Sequence, residues 1–222
     1  MIARLAGDVC NGTGDRRLVA GDSFLSPDAR KFTIAVVGAR DLGRRMACAS
    51  AHAGFRTILE DISPSALEQG IAGIAQRLRD GVSRGKFEAA ACDAALANLT
   101  TADSAEEAAR EADLIIETVS DEMEMKIELF TIFDKFAKPG AIFATTTSSL
   151  SISEIAAVTF CPERCIGMRF AGEAQNGAPL ELVRGPETSD ETVAACREVG
   201  RRMGKEVSVL SEKQVLSVTN QT

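Results

Sequence analysis

Short apolar runs rich in β-branched residues alternate with helical patterns along most of the chain, and this alternation limits the folds that it can adopt. The first run, at 33–37, is continuous and ends in Gly38, which is typical of a strand buried on both faces of a sheet. Helical patterns separate it from further apolar runs at 57–61, 113–119 and 141–144. Because strands that alternate with helices form parallel βαβ units, we predict an α/β fold, with a doubly wound, mostly parallel sheet and helices on both faces.

The length and composition fit a single globular domain. The chain has 222 residues, of which 45% are hydrophobic and 26% are charged, and one domain typically takes roughly 150 residues. Residues 1–31 carry turn signals without periodicity, so we expect a loosely ordered N-terminal extension there. We expect the domain itself at 32–210 and a C-terminal tail at 211–222.

Charge and residue usage argue against several classes of function. With 25 Lys and Arg against 32 Asp and Glu, the net charge is −7, and the chain has no Trp or Tyr. Neither nucleic acid nor an anionic membrane is therefore an expected partner, and no apolar run approaches the roughly 18 residues of a membrane span. The six cysteines show no paired pattern, which favours reduced thiols and a cytoplasmic location. The single histidine, His52, leaves no histidine cluster for a metal, so no metal is expected.

The turn after the first strand indicates a dinucleotide ligand. Gly38 and Gly43 match the first and third glycines of the motif G-x-G-x-x-G, and Arg40 replaces the second glycine. Asp61 ends the next strand, where a carboxylate accepts hydrogen bonds from an adenine ribose. These residues predict a Rossmann-like domain that binds NAD rather than NADP, because a 2′-phosphate would face the negative charge of Asp61.

Arg40 leaves two interpretations open. Its side chain either crowds the pyrophosphate, or its charge attracts the phosphates together with the charges of Arg44 and Arg45. The alternative to a working site is a fold that has kept the topology and lost the ligand.

Five segments of the chain, taken together, resemble one family of enzymes. They are residues 114–119, 125–130, 147–156, 162–170 and 180–185, and the third contains a Thr-Ser-Ser-Leu block that makes the resemblance specific. From about Phe32 to Leu210 the chain is similar to the NAD-binding domain of the 3-hydroxyacyl-CoA dehydrogenases of fatty-acid oxidation. The resemblance implies a Rossmann-like domain that works with a second, helical and dimerising domain. Together the two would oxidise the 3-hydroxyl of an acyl-CoA by hydride transfer to NAD.

The resemblance also implies roles for residues near the cofactor. Asp61 would hold the adenine ribose, and Asp121 and Lys126 would lie by the nicotinamide half of NAD. Ser148 would contact both cofactor and substrate. The structural alternatives are that Lys126 is a solvated helix charge and that Ser148 belongs to a turn.

On the substrate side, the resemblance places Arg84 and Lys86 in the stretch that meets the phosphates of CoA. Lys86 has the same alternative as Lys126, a solvated charge on the surface. Glu181 matches the glutamate that orients the catalytic histidine of the family.

The largest departure from the family pattern is at that histidine, whose position is taken by Arg169. A histidine can remove the hydroxyl proton because its pKa lies near the operating pH, whereas an arginine stays protonated and cannot accept a proton. We expect Arg169 to form an ion pair with Glu181 instead. Gly172 stands where the family has the asparagine that positions the nicotinamide, and the Pro-Gly-Phe block leading into the helical domain is absent.

Three hypotheses for function follow. The chain is a catalytically impaired protein that binds NAD or acyl-CoA, or an active dehydrogenase in which Arg169 polarises a 3-keto oxygen, or a ligand-free module that acts by protein contact. We expect the helical domain to be missing, which would expose apolar surface and favour a homo-oligomer or a partner chain that replaces it.

Overall fold

Eight strands form one sheet in the computed structural model, which describes residues 29–170 and 179–219. They are β1 (Thr33–Val37), β2 (Arg56–Glu60), β3 (Leu99–Thr101), β4 (Leu114–Glu117), β5 (Ile142–Thr145), β6 (Cys165–Phe170), β7 (Leu180–Arg184) and β8 (Val207–Ser211). Their order across the sheet is β3-β2-β1-β4-β5-β6-β7-β8. Strands β1 to β6 are parallel neighbours, whereas β7 is antiparallel to β6 and parallel to β8. The prediction of a doubly wound, mostly parallel sheet is confirmed.

Eight helices connect the described strands and follow the last one. They are α1 (Asp41–His52), α2 (Pro64–Ser83), α3 (Ala89–Ala97), α4 (Ala105–Glu111), α5 (Met123–Phe136), α6 (Ile152–Ala156), α7 (Asp190–Arg202) and α8 (Glu212–Thr219). Several begin at a serine cap: at α2, for example, the Ser63 hydroxyl accepts a hydrogen bond from the N–H of Ala66, with Pro64 in the first turn.

Helices cover both faces of the sheet, and this explains why four of the five residues of the first strand are apolar. Alternate side chains of a strand point to opposite faces. Ile34 and Val36 therefore pack in a core with α1, α2, α3 and α7, while Ala35 and Val37 pack in a second core with α4, α5 and α6. Both faces of β1 are therefore buried, and even its polar first residue, Thr33, is only 6% exposed.

The boundaries of the predicted domain remain predictions. Residues 1–28 lie outside the described part of the chain, and residues 29–31 form a short 3-10 turn. The segment predicted as a C-terminal tail contributes Ser211 to β8 and the helix α8, whose Val215 packs against Ile152 and Val183.

Two expectations on residue usage can be compared with the described residues. Five of the six cysteines lie within 29–170 and 179–219, and all five are buried free thiols. In the same ranges no helix combines the length and the apolar composition that crossing a bilayer requires.

Candidate functional site

The parallel strands bring most of the predicted site residues to one edge of the sheet. Parallel strands all end at the same edge, so the connections that follow β1, β2, β4 and β5 lie side by side there. The glycine turn, Asp61, Asp121 and Ser148 lie in these four connections. Ligands of open α/β sheets bind outside this edge.

Both glycines of the turn are required by close contacts. Gly38 has φ +106°, and a Cβ there would lie 2.7 Å from Thr118 Oγ1. A Cβ on Gly43 would lie 1.8 Å from the carbonyl oxygen of Gly38, so α1 could not approach the turn with any side chain at that position. Thr118 holds the turn from β4 by donating its hydroxyl to the carbonyls of Val37 and Gly38, at 3.0 Å each.

Arg40 fits the turn without a positive φ. It is the exposed N-cap residue of α1, with φ −75° and ψ −174°, a conformation open to any amino acid. Its charge therefore lies at the positively polarised end of the helix. Arg44 contributes to the turn itself, because its Nε donates to the carbonyl of Ala39 at 2.7 Å.

The carboxylate of Asp61 is bonded directly to the glycine turn. Its Oδ2 accepts a hydrogen bond from the N–H of Ala39 at 2.7 Å, and its Oδ1 accepts one from the N–H of Ser63 at 2.9 Å. The side chain thus joins the β1–α1 turn to the start of α2. Each carboxylate oxygen retains a further lone pair that can accept a hydroxyl.

Glu60, which the sequence analysis did not single out, lies beside Asp61 and is 5% exposed. The pKa of its carboxyl is raised to about 7, mainly by burial and to a smaller extent by the negative charges of Asp61 and Glu106. The edge of the sheet at which the parallel strands end therefore holds a carboxyl, that of Glu60, that changes charge near neutral pH. An acidic residue at the end of an apolar strand was the available sequence signal.

Lys126 is fully buried, so the alternative interpretation as a solvated helix charge is wrong for this residue. Its Nζ lies 2.9 and 2.8 Å from the two carboxylate oxygens of Glu117 and 3.2 Å from the carbonyl of Thr146. The spacing of α5 explains the burial, because Lys126 shares the buried face of the helix with Phe130 and Phe133.

Glu117 completes this buried pair and was also missed in the sequence. Besides Lys126, it accepts hydrogen bonds from the Thr145 hydroxyl and the Val119 N–H, both at 2.6 Å. Burial raises the pKa of Glu117, while the charge of Lys126 and these hydrogen bonds lower it. The pair joins the ends of β4 and β5, because Lys126 contacts Glu117 and the carbonyl of Thr146, and Thr145 donates to Glu117. Lys126 therefore supports the carboxyl edge of the sheet from within the protein. A contact of Lys126 with nicotinamide remains a prediction.

Asp121 and two serines form a polar group above that pair. Asp121 Oδ2 accepts hydrogen bonds from the Ser148 N–H at 3.3 Å, the Ser148 hydroxyl at 3.4 Å and the Ser149 hydroxyl at 3.2 Å. The other oxygen, Oδ1, lies 3.8 Å from Lys126 Nζ. All three residues are exposed, so the structure brings Asp121 and Ser148 together where a ligand can reach them.

The ion pair between Arg169 and Glu181 that the sequence predicts is present. The two residues face each other across the antiparallel pair β6 and β7, and Arg169 Nε lies 2.9 Å from Glu181 Oε2. Their side chains are 23% and 20% exposed, respectively. A permanently protonated guanidinium thus lies where the family resemblance predicts a histidine. Gly172 lies outside the described residues.

Arg84 and Lys86 line a cavity of about 520 Å³ on the face of the sheet that carries α1 and α2. The cavity is bounded by α1, α2 and the loop after α2, and by residues near the ends of β6 and α7. Five cationic side chains line it, against the one carboxylate of Asp80. The five are Arg45, Arg77, Arg84, Lys86 and Lys205. No residue of the glycine turn lines this cavity. Phe170, the sequence neighbour of Arg169, forms part of its wall.

His52 lies at this cavity rather than at the sheet edge. It is exposed at the end of α1, and its ring centroid is 4.4 Å from that of Phe87. In the described residues, no group of three or more His, Cys, Asp or Glu side chains converges that could hold a metal ion.

The strand order, the glycine turn and the acidic residue bonded to it define a dinucleotide-binding domain of the Rossmann type. Residues 33–213 match the family model of the NAD-binding domain of 3-hydroxyacyl-CoA dehydrogenase. The chain belongs to this family, which confirms the family resemblance and the NAD prediction at the level of the family.

Individual relatives agree with this assignment. The chain is 35% identical over 172 residues to a probable 3-hydroxybutyryl-CoA dehydrogenase of Bacillus subtilis, covering 78% of this chain and 60% of that protein. It is 36% identical over 176 residues to a 3-hydroxybutyryl-CoA dehydrogenase of Bradyrhizobium diazoefficiens, covering 79% of this chain and 60% of that protein. This chain therefore spans about 60% of the length of these two curated relatives.

A solved structure shows the same fold. The crystal structure of (S)-3-hydroxybutyryl-CoA dehydrogenase from Ralstonia eutropha superimposes with a TM-score of 0.76 at 32% identity. The match covers 81% of this chain and 63% of that one.

Proposed function

We propose that this chain binds NAD across the carboxyl edge of the sheet, with the pyrophosphate at the glycine turn and the adenine ribose on Asp61. The observation that carries the proposal is the 2.7 Å hydrogen bond between Asp61 Oδ2 and the N–H of Ala39, which fixes the carboxylate beside the turn. A ribose hydroxyl that donates to this carboxylate would extend a network that already exists. NAD supplies the hydride acceptor when it is bound.

The same carboxylate would select NAD against NADP. A 2′-phosphate in the ribose position would approach the negative charge of Asp61, with Glu60 adding a second acid close by. Asp61 repels a phosphate, whereas Arg40 attracts one, because its exposed positive charge lies at the start of α1. We place that attraction at the pyrophosphate, which both cofactors share.

We propose a 3-hydroxyacyl-CoA as the second ligand, with Arg84 and Lys86 toward its CoA phosphates. Both residues line the cationic cavity, and Phe170 in its wall is adjacent in sequence to Arg169. Ser148, held by Asp121, would contact both the cofactor and the acyl group at the sheet edge.

We further propose that the chemical step is impaired. Loss of a general base removes roughly 10²–10⁴-fold of rate, and Arg169 cannot accept the hydroxyl proton. Glu181 pairs with the guanidinium at 2.9 Å, so the pair offers a fixed positive charge where a dehydrogenase needs a proton acceptor. The competing hypothesis, reduction of a 3-ketoacyl-CoA with Arg169 polarising the keto oxygen, predicts NADH consumption in the presence of acetoacetyl-CoA.

Calorimetric titration of the pure chain with NAD and NADP tests the cofactor proposal. We expect NAD to bind more tightly than NADP, and NAD at about 100 times its Kd to add roughly 2.7 kcal/mol to stability in a parallel melt. Replacing Asp61→Asn keeps an oxygen acceptor but removes the charge, and should weaken NAD binding about tenfold while narrowing the preference over NADP.

The matched control is Asp93→Asn, on the exposed face of α3, which should leave both affinities unchanged. Flat titrations with NAD and NADP, or an Asp61→Asn variant that binds NAD as tightly as the parent, would remove the proposal. Adding acetoacetyl-CoA and NADH then separates the impaired protein from the active one, because only the active one lowers the NADH absorbance.

A further inference from the structure

Five cationic side chains line one cavity of this acidic chain, and the proposed function uses only two of them, Arg84 and Lys86. The net charge is −7, yet three cationic side chains from distant parts of the sequence line this cavity in addition to Arg84 and Lys86. We call Arg45, Arg77 and Lys205 the inner cation cluster; all three line the cavity with Phe170. They come from α1, from α2 and from the loop before β8.

Phe170 holds two members of the inner cation cluster close together. The Arg45 Cζ lies 5.8 Å from the centroid of the Phe170 ring, and the Lys205 Nζ lies 5.1 Å from the same centroid. Distances of this size are typical of cation–π contacts. One aromatic ring thus anchors two like charges at the end of β6.

Two of the three cations in the cluster have no carboxylate partner among the described residues. The Arg45 Nε lies 3.4 Å from Asp41 Oδ2. Across residues 29–170 and 179–219, by contrast, no ion pair joins a carboxylate to Arg77 or to Lys205. Burial lowers the pKa of Lys205, and the charges of Arg45 and Arg77 lower it further. These cations therefore destabilise one another as long as no anion lies between them.

We propose that the inner cation cluster binds a phosphate group. Guanidinium groups match the oxygens of a phosphate in shape and can donate two parallel hydrogen bonds, and an ammonium adds a third point of charge. Two arginines and a lysine balance a dianionic phosphate better than a singly charged carboxylate. The volume of about 520 Å³ falls in the range of small-molecule sites, so the phosphate belongs to a larger molecule or binds with water around it.

The phosphate has two possible sources, which share this chemistry. It is either one of the phosphates of CoA, in which case the inference rests on the proposed function, or it is a free nucleotide or inorganic phosphate. In the first case, CoA reaches past Arg84 and Lys86 to the wall formed by Phe170. In the second case, the cavity is a phosphate site independent of the acyl-CoA substrate.

Calorimetric titration with inorganic pyrophosphate at constant ionic strength tests the proposal. We expect saturable binding to the full chain that is weakened at least tenfold by Arg77→Gln and by Lys205→Gln. Arg79→Gln is the matched control, because Arg79 is exposed on the same helix and does not line the cavity; it should bind as the parent does. Melting curves of each variant verify that the chain is folded.

Two further titrations identify the source and keep this inference distinct from the NAD proposal. If CoA supplies the phosphate, CoA binds more tightly than pyrophosphate, and Arg77→Gln weakens both ligands; if not, only pyrophosphate or a nucleotide responds. NAD titrated into Arg77→Gln should bind as it does to the parent, so a failed NAD site would leave the phosphate result standing. Pyrophosphate that binds no better than acetate, or equally well to all variants, would overturn the inference.

Discussion

Two ion pairs at the edge of the sheet use the same chemistry in opposite surroundings. Lys126 and Glu117 are both 0% exposed and are joined through both carboxylate oxygens. Arg169 and Glu181 are about one fifth exposed and are joined by a single contact of 2.9 Å. The first pair holds β4 and β5 in position under the cofactor edge, and the second is placed where a ligand can meet it. Burial, more than the identity of the charges, separates a structural pair from one available for chemistry.

The largest expected effect is the loss of the buried pair. Replacing Lys126→Met leaves Glu117 with a buried charge and no cation, and we expect the free energy of unfolding to fall by about 3–5 kcal/mol. Denaturant unfolding of the variant and the parent measures the difference. The double variant Lys126→Met/Glu117→Gln should recover part of the loss, because it removes the unpaired charge. A loss below about 1 kcal/mol in the single variant would contradict the contrast between the two pairs.

Glu60 extends the comparison to a buried carboxyl that has no cation partner among the described residues. Its pKa in the folded chain is about 7, against an ordinary value of 4.5. The folded state therefore binds the proton more strongly than the unfolded state does, so this stabilisation is present below pH 4.5 and is lost as the pH rises to about 7. The shift corresponds to about 3 kcal/mol at most.

The variant Glu60→Gln, which cannot ionise, isolates that contribution. It should be more stable than the parent at pH 8, and the advantage should vanish near pH 4.5. Unfolding curves at several pH values measure it, and Glu68→Gln, on the exposed face of α2, serves as the control without a pH-dependent difference. A stability difference for Glu60→Gln that is constant with pH would contradict the raised pKa.

Converting the exposed pair into a base and its orienting carboxylate gives the next effect. Arg169→His places an imidazole opposite Glu181, where it can accept a proton near neutral pH. We expect NAD-dependent turnover of a 3-hydroxyacyl-CoA to rise up to about 100-fold over the parent, at the lower bound of general-base contributions. Arg169→Gln removes the charge without adding a base and should not gain activity. A decrease in both variants would instead assign the activity to the guanidinium.

The contrast between the two pairs also shows which contacts of the site can be predicted from the sequence. The glycine turn and the strand that precedes it are local signals, so their contacts could be predicted, as could the pairing of Arg169 with Glu181 once the family pattern aligned them. The burial of Lys126 was signalled by its helical spacing from Phe130 and Phe133, but the charge favoured a solvated interpretation.

Other features depend on contacts between distant segments. The inner cation cluster combines residues from α1, α2 and the loop before β8, which no spacing rule connects. The reversal of β7 is similar, because its apolar run looks the same in either direction and only pairing with β6 determines its orientation. Both features depend on tertiary packing between distant segments, and no local spacing or periodicity in a single sequence predicts that packing.

The smallest expected effect is on the stability contributed by the exposed pair. Because water screens partly exposed charges, Arg169→Gln should lower the free energy of unfolding by less than about 1 kcal/mol. A double-mutant cycle with Glu181→Gln measures the coupling of the two side chains directly. A coupling free energy of several kcal/mol would mean that the pair is structural, like Lys126 and Glu117. In that case Arg169→His would disrupt the pairing of β6 with β7. A small coupling would leave the pair free to be exchanged, as the Arg169→His experiment requires.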